Sequence, residues 1–400
     1  MIFAFIKERK NPPDRRVVCS PQQIALLKQQ YPTHQFIVEA SDIRIFSDQA
    51  YQDYGIDVHK DVSHADVLIG VKEVPVDALI PDKSYFFFSH TIKKQTYNKN
   101  LLRRILALNI DLYDHETITT AQGHRLIGFG RYAGLVGAYN AIRLLGQRDE
   151  LFDLPKAEDL PDLNALLKSF DAISLPHKKI VLTGSGKVAY GAKEILDHLH
   201  IHEVSVEEFL HQAFDEPVYV LIDVLDYNRR KDGKNLGKKD FYQHPEAYES
   251  DFIRFAKVAD IFIAGHFYGD GAPYLFTRED AKNPDFNIDL IADISCDIDG
   301  PVASTIRPST IAEPFYAYHP LTEKEVPVGT PHSIAVMAVD NLPCELPKDA
   351  SEGFGEMFLE HVFPAFFNED ASGILQRAQI TKKGKLTESF LYLQDWVYSD

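Results

Sequence analysis

KKIVLTGSGKVAYGAKEIL, residues 178–196, is the stretch that decides the fold of the second half of this chain. A short apolar run, residues 180–183, leads into a glycine-rich turn that opens a helical pattern. Glycines at such a turn let the chain bend tightly and let a phosphate approach the backbone, while the start of the helix offers free N–H groups to an anion. The pattern therefore predicts a dinucleotide-binding turn rather than merely a tight strand-to-helix turn, and its candidate ligand-binding residues are Gly184, Ser185, Gly186, Lys187 and Val188.

Apolar runs alternate with helical patterns on both sides of this turn, which predicts an α/β fold with parallel sheets. The chain has 400 residues, more than one ordinary hydrophobic core accommodates, so we expect two domains. Residues 149–178 are acidic and interrupted by prolines, which is typical of a linker or crossover, and the second α/β unit begins after them. The pattern after Pro331 is interpreted as helical, and residues 227–240 as a polar, basic, mobile loop.

The composition narrows the class of protein. The chain is 45% hydrophobic and 25% charged, as in globular proteins, and its net charge of −17 disfavours nucleic acid and anionic membranes as partners. Its three cysteines include no CxxC pair, so neither structural zinc nor any other metal is expected. No apolar run is long enough to span a membrane, and the amino terminus has its apolar stretch before its charges, the reverse of a signal peptide. We therefore expect a cytoplasmic enzyme that acts on small molecules.

A second candidate site lies in the amino-terminal part of the chain. Lys72 in ADVLIGVKEVP, His90 in FFFSHTIKK and Arg16 in DRRVVCSP each follow a strand-like run. Parallel α/β sheets place their ligand sites at the carboxyl ends of strands, and lysine and histidine are suited to acid–base catalysis there. The alternatives are a surface lysine after a strand and a capping or hydrogen-bonded core histidine.

The choice between NAD and NADP depends on the group that meets the adenosine ribose. NAD-binding domains usually present an acidic side chain at the end of the second strand. The corresponding stretch, HIHEVSVEEFL (200–210), has no clean strand that ends in a single acid, and its glutamates are candidates only as ordinary surface charges. Arg229, Arg230 and Lys231 follow the next predicted strand and could neutralise a 2′-phosphate or, alternatively, belong to a solvated basic loop. NADP(H) is therefore favoured slightly over NAD(H).

Several motifs together resemble the saccharopine dehydrogenase family, in its lysine-forming branch. The resemblance is greatest to the lysine–ketoglutarate reductase domain of the aminoadipic semialdehyde synthases, and it is more distant to alanine dehydrogenase and the transhydrogenase α subunit. The motifs span nearly the whole chain, and they are KERKNPPDRRVVCSP (7–21), ADVLIGVKEVP (65–75), FFFSHTIKK (86–94), YDHETI (113–118), GHRLIGFGRYAGLVGAYN (123–140), IADISCDIDG (291–300) and MAVDNLPCELPKDASEGFG (337–355).

The resemblance implies two Rossmann-like domains with the active site in the cleft between them. Residues 1–140 together with about 335–400 would form the substrate and catalytic domain, and residues 150–334 the dinucleotide-binding domain. The implied reaction is the reductive condensation of L-lysine with 2-oxoglutarate to saccharopine, with NAD(P)H as reductant. The family's acid–base pair corresponds to Lys72 and His90. Positions that match its substrate-binding or charge-tuning residues are Arg16, Glu73, Lys93, Glu116 and Arg125, and those that match its cofactor-side DxSxD segment are Asp293, Ser295 and Asp297.

Two other functions compete with this interpretation. An amino-acid dehydrogenase similar to alanine dehydrogenase would use ammonia and a 2-oxo acid, and a non-catalytic transhydrogenase-like module would bind a dinucleotide without turning it over. The Lys72 and His90 pattern favours a catalyst over the module. The sequence is compatible with a monomer or a homodimer.

Overall fold

The computed structural model describes residues 1–399, and the chain divides into two compact units. One unit comprises Met1–Phe129 together with the segment that begins at Pro347, and the other comprises Gly130–Leu346. Each unit is built around its own mainly parallel sheet, which confirms the predicted α/β class.

The first unit contains a six-stranded parallel sheet in the order β3-β2-β1-β4-β5-β6. Apolar clusters cover both faces of this sheet, so its strands are almost continuously hydrophobic instead of alternating. The strands are β1 (Ile2–Phe5), β2 (Gln35–Glu39), β3 (Val58–His59), β4 (Val67–Lys72), β5 (Ser84–Phe88) and β6 (Asp111–Asp114), and the helices are α1 (Pro21–Gln30), α2 (Asp48–Asp53) and α3 (Thr96–Ala107).

The second unit contains an eight-stranded sheet in the order β15-β14-β16-β13-β12-β7-β9-β8. It is parallel from β8 to β16, and β14 and β15 continue it as antiparallel strands. Its strands are β7 (Lys179–Thr183), β8 (His202–Glu203), β9 (Val218–Ile222), β12 (Ile261–Ala264), β13 (Leu290–Asp293), β14 (Phe315–His319), β15 (Lys324–Val326) and β16 (Ile334–Met337), and a separate hairpin pairs β10 (Asn228–Arg230) with β11 (Tyr248–Ser250).

The helices of the second unit include a long one that packs closely on the helix after the glycine-rich turn. They are α4 (Gly130–Arg148), α5 (Leu163–Lys168), α6 (Lys187–His198), α7 (Val206–His211), α8 (Lys238–Gln243), α9 (Ile253–Ala256) and α10 (Arg278–Ala281). A Cβ at Gly134 of α4 would lie 2.0 Å from the carbonyl oxygen of Val188, and one at Gly191 of α6 would lie 2.1 Å from that of Arg131. Only glycine permits this approach of two helix backbones, and it places α4 in the second unit.

Three interpretations of the sequence differ from the structure. The stretch after Pro331 is not wholly helical, because β16 enters the large sheet between β13 and β14 before the helices begin at Pro347. Residues 227–240 are not one loop, since they contain β10 and the start of α8. Residues 130–140 and 335–346, which the sequence-based division placed in the first domain, pack in the second unit.

The segment from Pro347 onward completes the first unit. It contains α11 (Pro347–Met357), a π-helical turn over Phe358–Val362, α12 (Phe363–Phe367), α13 (Ile374–Ala378) and α14 (Gln394–Tyr398), together with the two-stranded ribbon of β17 (Thr381–Lys382) and β18 (Lys385–Leu386). Aromatic side chains anchor it to the rest of the first unit, with the Phe3 and Phe366 rings 5.1 Å apart and those of Phe129 and Phe354 stacked at 4.4 Å. No helix in residues 1–399 combines the length and apolarity needed to cross a bilayer.

Candidate active site

The predicted acid–base pair lies at the carboxyl ends of two adjacent strands in the first unit. Lys72 is the last residue of β4 and pairs in register with Phe88, the last residue of β5. His90 follows two residues later in a left-handed conformation, with φ of 55°. The parallel topology therefore brings together two residues that are 18 positions apart in the sequence.

His90 is held by a carboxylate that binds two further cations. Its Nδ1 lies 3.0 Å from Oε2 of Glu116, while Oε1 of Glu116 lies 2.9 Å from Nη2 of Arg125 and 3.4 Å from Nζ of Lys93. Burial alone would raise the pKa of Glu116, but the hydrogen bond from His90 and the three positive partners lower it to about 2. Glu116 is therefore ionised at neutral pH, and four of the predicted site residues form one cluster.

A buried aspartate, Asp114, positions this cluster. It ends β6, is fully buried, and accepts hydrogen bonds from the backbone N–H of Ser89 at 3.0 Å and of Glu116 at 2.7 Å. The Ser89 hydroxyl also donates to it. Asp114 thus fixes the residue before His90 and the backbone of Glu116 at the same time. Sequence reasoning did not single it out, although it lies within YDHETI, two residues before a predicted site residue.

Glu8 performs a similar task at the end of β4. Its carboxyl group accepts hydrogen bonds from the backbone N–H groups of Val71 at 2.7 Å and Lys72 at 2.8 Å. Burial, reinforced by the neighbouring Asp14 charge, raises the pKa of Glu8 to about 8. In the sequence, only its position between basic residues in KERK distinguishes Glu8 from a surface acid.

Arg16 is engaged in a buried ion pair. Its Nε and Nη2 donate to the two carboxylate oxygens of Asp14 at 3.0 and 2.6 Å, and the guanidinium lies over the Phe129 ring, 4.3 Å from its centroid. Burial alone would raise the pKa of Asp14, but Arg16 and the charge of Lys72 lower it. The predicted contact of Arg16 with a substrate carboxylate stays a prediction.

Glu73 has one oxygen engaged and one without a partner. Oε1 forms an ion pair with Lys10, whereas Oε2 is buried and lacks a hydrogen-bond partner in the structure. A buried acceptor without a donor is costly unless a ligand or a water supplies one. Glu73 therefore offers a free anionic acceptor directly after Lys72.

The glycine-rich turn in the second unit has the geometry of an anion-binding turn. Gly184 has φ of +112°, and a Cβ there would lie 2.6 Å from the carbonyl oxygen of Gly265, so only glycine fits. Gly186 precedes α6 in extended conformation, and a Cβ there would meet nothing within 4 Å. Ser185, Gly186 and Lys187 are exposed, and Val188 is half-buried in the first turn of α6. Open space beside the first turn of α6 fits a dinucleotide pyrophosphate.

The remaining predicted cofactor residues occupy two other places in this unit. Asp293 ends β13, is fully buried, and accepts from the Ser295 hydroxyl at 2.6 Å and the Thr305 hydroxyl at 2.7 Å. Burial raises the pKa of Asp293 despite these hydrogen bonds. Asp293 therefore organises the loop that carries Ser295 and Asp297 at the carboxyl edge of the sheet.

The two arginines predicted near a 2′-phosphate are both paired with acids. Arg229 is an exposed residue of β10 whose Nε lies 2.9 Å from Glu249, and Arg230 binds Asp232 at 2.9 Å and also Asp240. Within residues 1–399, no group of three or more histidine, cysteine and acidic side chains is placed to hold a metal ion.

Comparison with known proteins relates the sequence to enzymes of lysine metabolism. Residues 4–136 match the family described as alanine dehydrogenase/PNT, N-terminal domain. The chain is 27% identical to the α-aminoadipic semialdehyde synthase of Arabidopsis thaliana, covering 98% of this chain and 41% of that protein, and 28% identical to the mitochondrial enzyme of Mus musculus, covering 98% and 47%. It is 25% identical to the NAD⁺-dependent, L-lysine-forming saccharopine dehydrogenase of Yarrowia lipolytica, covering 80% and 81%.

These similarities establish homology to the semialdehyde synthases and saccharopine dehydrogenases, as the motifs predicted. The chain spans less than half the length of the semialdehyde synthases it matches. Among solved structures, an L-alanine dehydrogenase superposes with a TM-score of 0.64 at 16% identity, covering 99% of this chain and all of that one. The transhydrogenase of Sinorhizobium meliloti superposes with a TM-score of 0.58 at 15% identity, covering 97% and 100%. The structural matches show the shared fold.

Proposed function

We propose that this chain, whose residues 4–136 match the alanine dehydrogenase/PNT N-terminal domain, catalyses the NAD(P)H-dependent condensation of L-lysine with 2-oxoglutarate to saccharopine. The observation that carries the proposal is the cluster of His90, Glu116, Lys93 and Arg125 beside the strand end that bears Lys72. The homology to L-lysine-forming saccharopine dehydrogenases supports this substrate choice.

The reaction needs proton transfers at two stages. The ε-ammonium of lysine must lose a proton before the amine attacks the ketone of 2-oxoglutarate, and the resulting carbinolamine must be protonated to lose water. A reduced nicotinamide, when bound, supplies the hydride that reduces the imine. Lys72 and His90 transfer the protons, and a positioned acid–base group of this kind contributes about 10²- to 10⁴-fold in rate.

The hydrogen bond between His90 and Glu116 determines which ring nitrogen reacts. Ionised Glu116 can only accept a hydrogen bond, so Nδ1 of His90 carries the proton that it donates. The other nitrogen, Nε2, is then left to exchange protons with the substrate. Glu116 thereby fixes the orientation of the His90 ring as well as its tautomer.

The charged groups around the pair match the substrates' own charges. 2-Oxoglutarate carries two carboxylates, and Arg125 and Lys93 are about half-exposed cations that can each bind one of its oxygens without leaving Glu116. The substrate lysine arrives with a positive ε-ammonium, for which the unpartnered Oε2 of Glu73 is a suitable acceptor. Arg16 lies in the same region, where its charge is balanced by that of Asp14.

In the second unit, the residues of the glycine-rich turn would hold the dinucleotide. Backbone N–H groups at Gly186, Lys187 and Val188 would face the pyrophosphate, and the loop organised by Asp293 would line the cofactor at the neighbouring strand ends.

A substrate survey tests the proposal. Purified protein is mixed with NADH or NADPH and 2-oxoglutarate, with L-lysine, L-ornithine or ammonia as the amine, and loss of the reduced nicotinamide is followed. Mass spectrometry of the product distinguishes a secondary amine from a simple amino acid. We expect turnover with L-lysine and formation of saccharopine. Turnover with ammonia alone would show an amino-acid dehydrogenase, and absence of turnover with all three amines would contradict a catalytic role.

A further inference from the structure

The strand that leads into the glycine-rich turn, β7, does not pair with β8, the next strand in the sequence; its neighbours are β9 and β12. β8 comes next after α6, yet β9 pairs with β7 along its whole length, from Lys179 with Val218 to Thr183 with Ile222. The backbone N–H of Gly184 donates to the carbonyl oxygen of Ile222 at 2.9 Å, which extends this pairing into the turn itself. The residue after Ile222 therefore emerges directly beside the turn.

That residue is Asp223, and its carboxylate faces the turn. It accepts hydrogen bonds from the backbone N–H of Val224 at 2.6 Å and from the hydroxyl of Ser185, and it forms an ion pair with Lys238. Burial alone would raise the pKa of Asp223, but Lys238 and these hydrogen bonds hold it below its usual range. The group is thus an anion at neutral pH, and a carboxylate has lone pairs enough to accept further hydrogen bonds.

The glutamates considered from the sequence lie elsewhere. Glu203, at the end of β8, pairs in register with Tyr219 near the start of β9, so it is four residues short of the carboxyl edge that Asp223 occupies. Its carboxylate is bound by Lys193 and the Tyr219 hydroxyl. Glu208 caps α7 by accepting from Ser205, and Glu207 is almost fully exposed. An acidic residue does follow the strand that pairs with β7, but that strand is β9 and not β8.

The local charge also disfavours a phosphate on the ribose. Asp226 accepts from the backbone N–H of Asp223 at 2.7 Å, which puts two carboxylates beside Lys238. Arg229 and Arg230, on which the slight preference for NADP(H) rested, are already paired with acids. A 2′-phosphate would meet net negative charge here, whereas a ribose diol would meet hydrogen-bond acceptors.

We propose that Asp223 selects the dinucleotide by accepting hydrogen bonds from the hydroxyl groups of the adenosine ribose, so that the chain prefers NAD(H) to NADP(H). The inference rests on the proposed function, since it requires the glycine-rich turn to bind a nicotinamide dinucleotide. It reverses the preference drawn from the sequence.

Direct binding tests this inference without any amine substrate. Titrations with NADH and NADPH, followed by calorimetry, compare the wild type with Asp223→Asn, Asp223→Ser and Lys238→Met. We expect the wild type to bind NADH about tenfold or more tightly than NADPH, and both Asp223 variants to lose most of that preference. Thermal unfolding of each variant checks that the fold is retained, and Asp223→Asn is isosteric with the native residue.

The outcomes separate this inference from the proposed function. Equal or tighter binding of NADPH by the wild type would overturn the role of Asp223, as would an unchanged NADH preference in folded Asp223→Asn and Asp223→Ser. A selective loss of NADPH binding in Lys238→Met would also overturn it, because Lys238 would then be the anchor of a 2′-phosphate. If the wild type binds neither dinucleotide, the proposed function itself fails.

Discussion

The carboxyl edges of the two sheets are both formed by parallel strands, but they carry different kinds of residue. At the edge of the first sheet, Lys72 and His90 are surrounded by carboxyl groups that bind side chains and backbone N–H groups, namely Glu8, Asp14, Asp114 and Glu116. At the edge of the second sheet beside β7, the key positions are glycines, an exposed serine and the start of α6. One edge is built to set protonation states, and the other to leave space beside backbone donors.

The difference shows how the same fold supports two tasks. An acid–base group needs fixed neighbouring charges, because these determine its pKa. A phosphate site needs N–H groups that no side chain obstructs. At Gly186 a Cβ would meet nothing within 4 Å, so the space beside the start of α6 is open. Substitutions at the two edges should therefore affect different measurements.

The largest effect is expected from Lys72→Met combined with His90→Gln. Turnover should fall by about 10⁴-fold or more, because both proton-transfer groups are lost. Dinucleotide affinity should remain unchanged, since the glycine-rich turn is intact. Steady-state assays and NADH titration measure the two quantities. The matched control is Lys60→Met with His64→Gln, an exposed pair of the same types in the same unit. A double variant that retains the wild-type rate would refute the assignment of the acid–base pair.

The second-largest effect is expected at the glycine-rich turn of the second sheet. Gly186→Val should weaken dinucleotide binding about 10- to 100-fold, because its side chain obstructs the phosphate donors. It should leave the free energy of unfolding nearly unchanged, since a Cβ at this position meets nothing within 4 Å.

Gly184→Ala is the comparison variant for this position. It should lower the free energy of unfolding by at least about 1 kcal/mol, because φ is +112° and the Gly265 carbonyl is too close. Calorimetric titration measures the dinucleotide affinity of both glycine variants, and urea unfolding measures their free energy of unfolding. Wild-type affinity in Gly186→Val would show that the dinucleotide does not approach this turn.

A third, smaller effect concerns the charge next to His90. Glu116→Gln should lower kcat/KM about 10-fold, because a neutral amide accepts the hydrogen bond from Nδ1 of His90 less strongly than the carboxylate and no longer pairs with Lys93 and Arg125. Glu116→Asp keeps the charge and should restore part of the rate. Dinucleotide affinity, measured by titration, should stay at the wild-type value in both variants. A kcat/KM identical in wild type and Glu116→Gln would exclude this role of Glu116.

The smallest effect is expected in the pH dependence of stability. The pKa of Glu8 is raised to about 8 in the folded chain, above its ordinary value of 4.5. A raised pKa contributes stability that is fully present below the unfolded pKa and is lost as pH rises through 8. Urea unfolding of wild type should therefore show a decline between about pH 5 and pH 8, the interval between the unfolded and the folded pKa, that Glu8→Gln reduces by about 1–2 kcal/mol.

Glu345, in the second unit, gives the matched comparison for this titration. It is buried, accepts a hydrogen bond from Asn140 at 3.0 Å, and has its pKa raised to about 8 by burial. Glu345→Gln should flatten the same decline without altering the edge that carries Lys72. Parallel stability curves for wild type and Glu8→Gln would indicate that Glu8 is ionised throughout this range.

Much of the site was predictable because local patterns specify it. The apolar run that ends at Lys72 and the run that ends before His90 identify strand tips, and the spacing of Gly184 and Gly186 identifies a turn before a helix. The motif match placed Glu116 and Arg125 near His90, and the structure joins these three residues through Glu116.

The buried carboxyl groups were not predictable in the same way. Glu8 and Asp114 act on residues that are distant in the sequence, at Lys72 and Ser89, and nothing in their local context separates them from surface acids. Their role depends on which strands are neighbours. The same is true of Asp223, because periodicity predicts that β9 is a strand but contains no information on its partner.

The sequence by itself determined the α/β class, the glycine-rich turn and the identity of the strand ends near which Lys72 and His90 lie. These features follow from hydrophobic periodicity and from the conformational demands of glycine, which act over a few residues. The tertiary structure alone decided that β9 rather than β8 lies beside the turn, that β16 enters the large sheet, and that buried carboxyl groups bind the backbone beside Lys72 and His90. Strand order and burial arise from contacts between distant segments, and no local pattern records them.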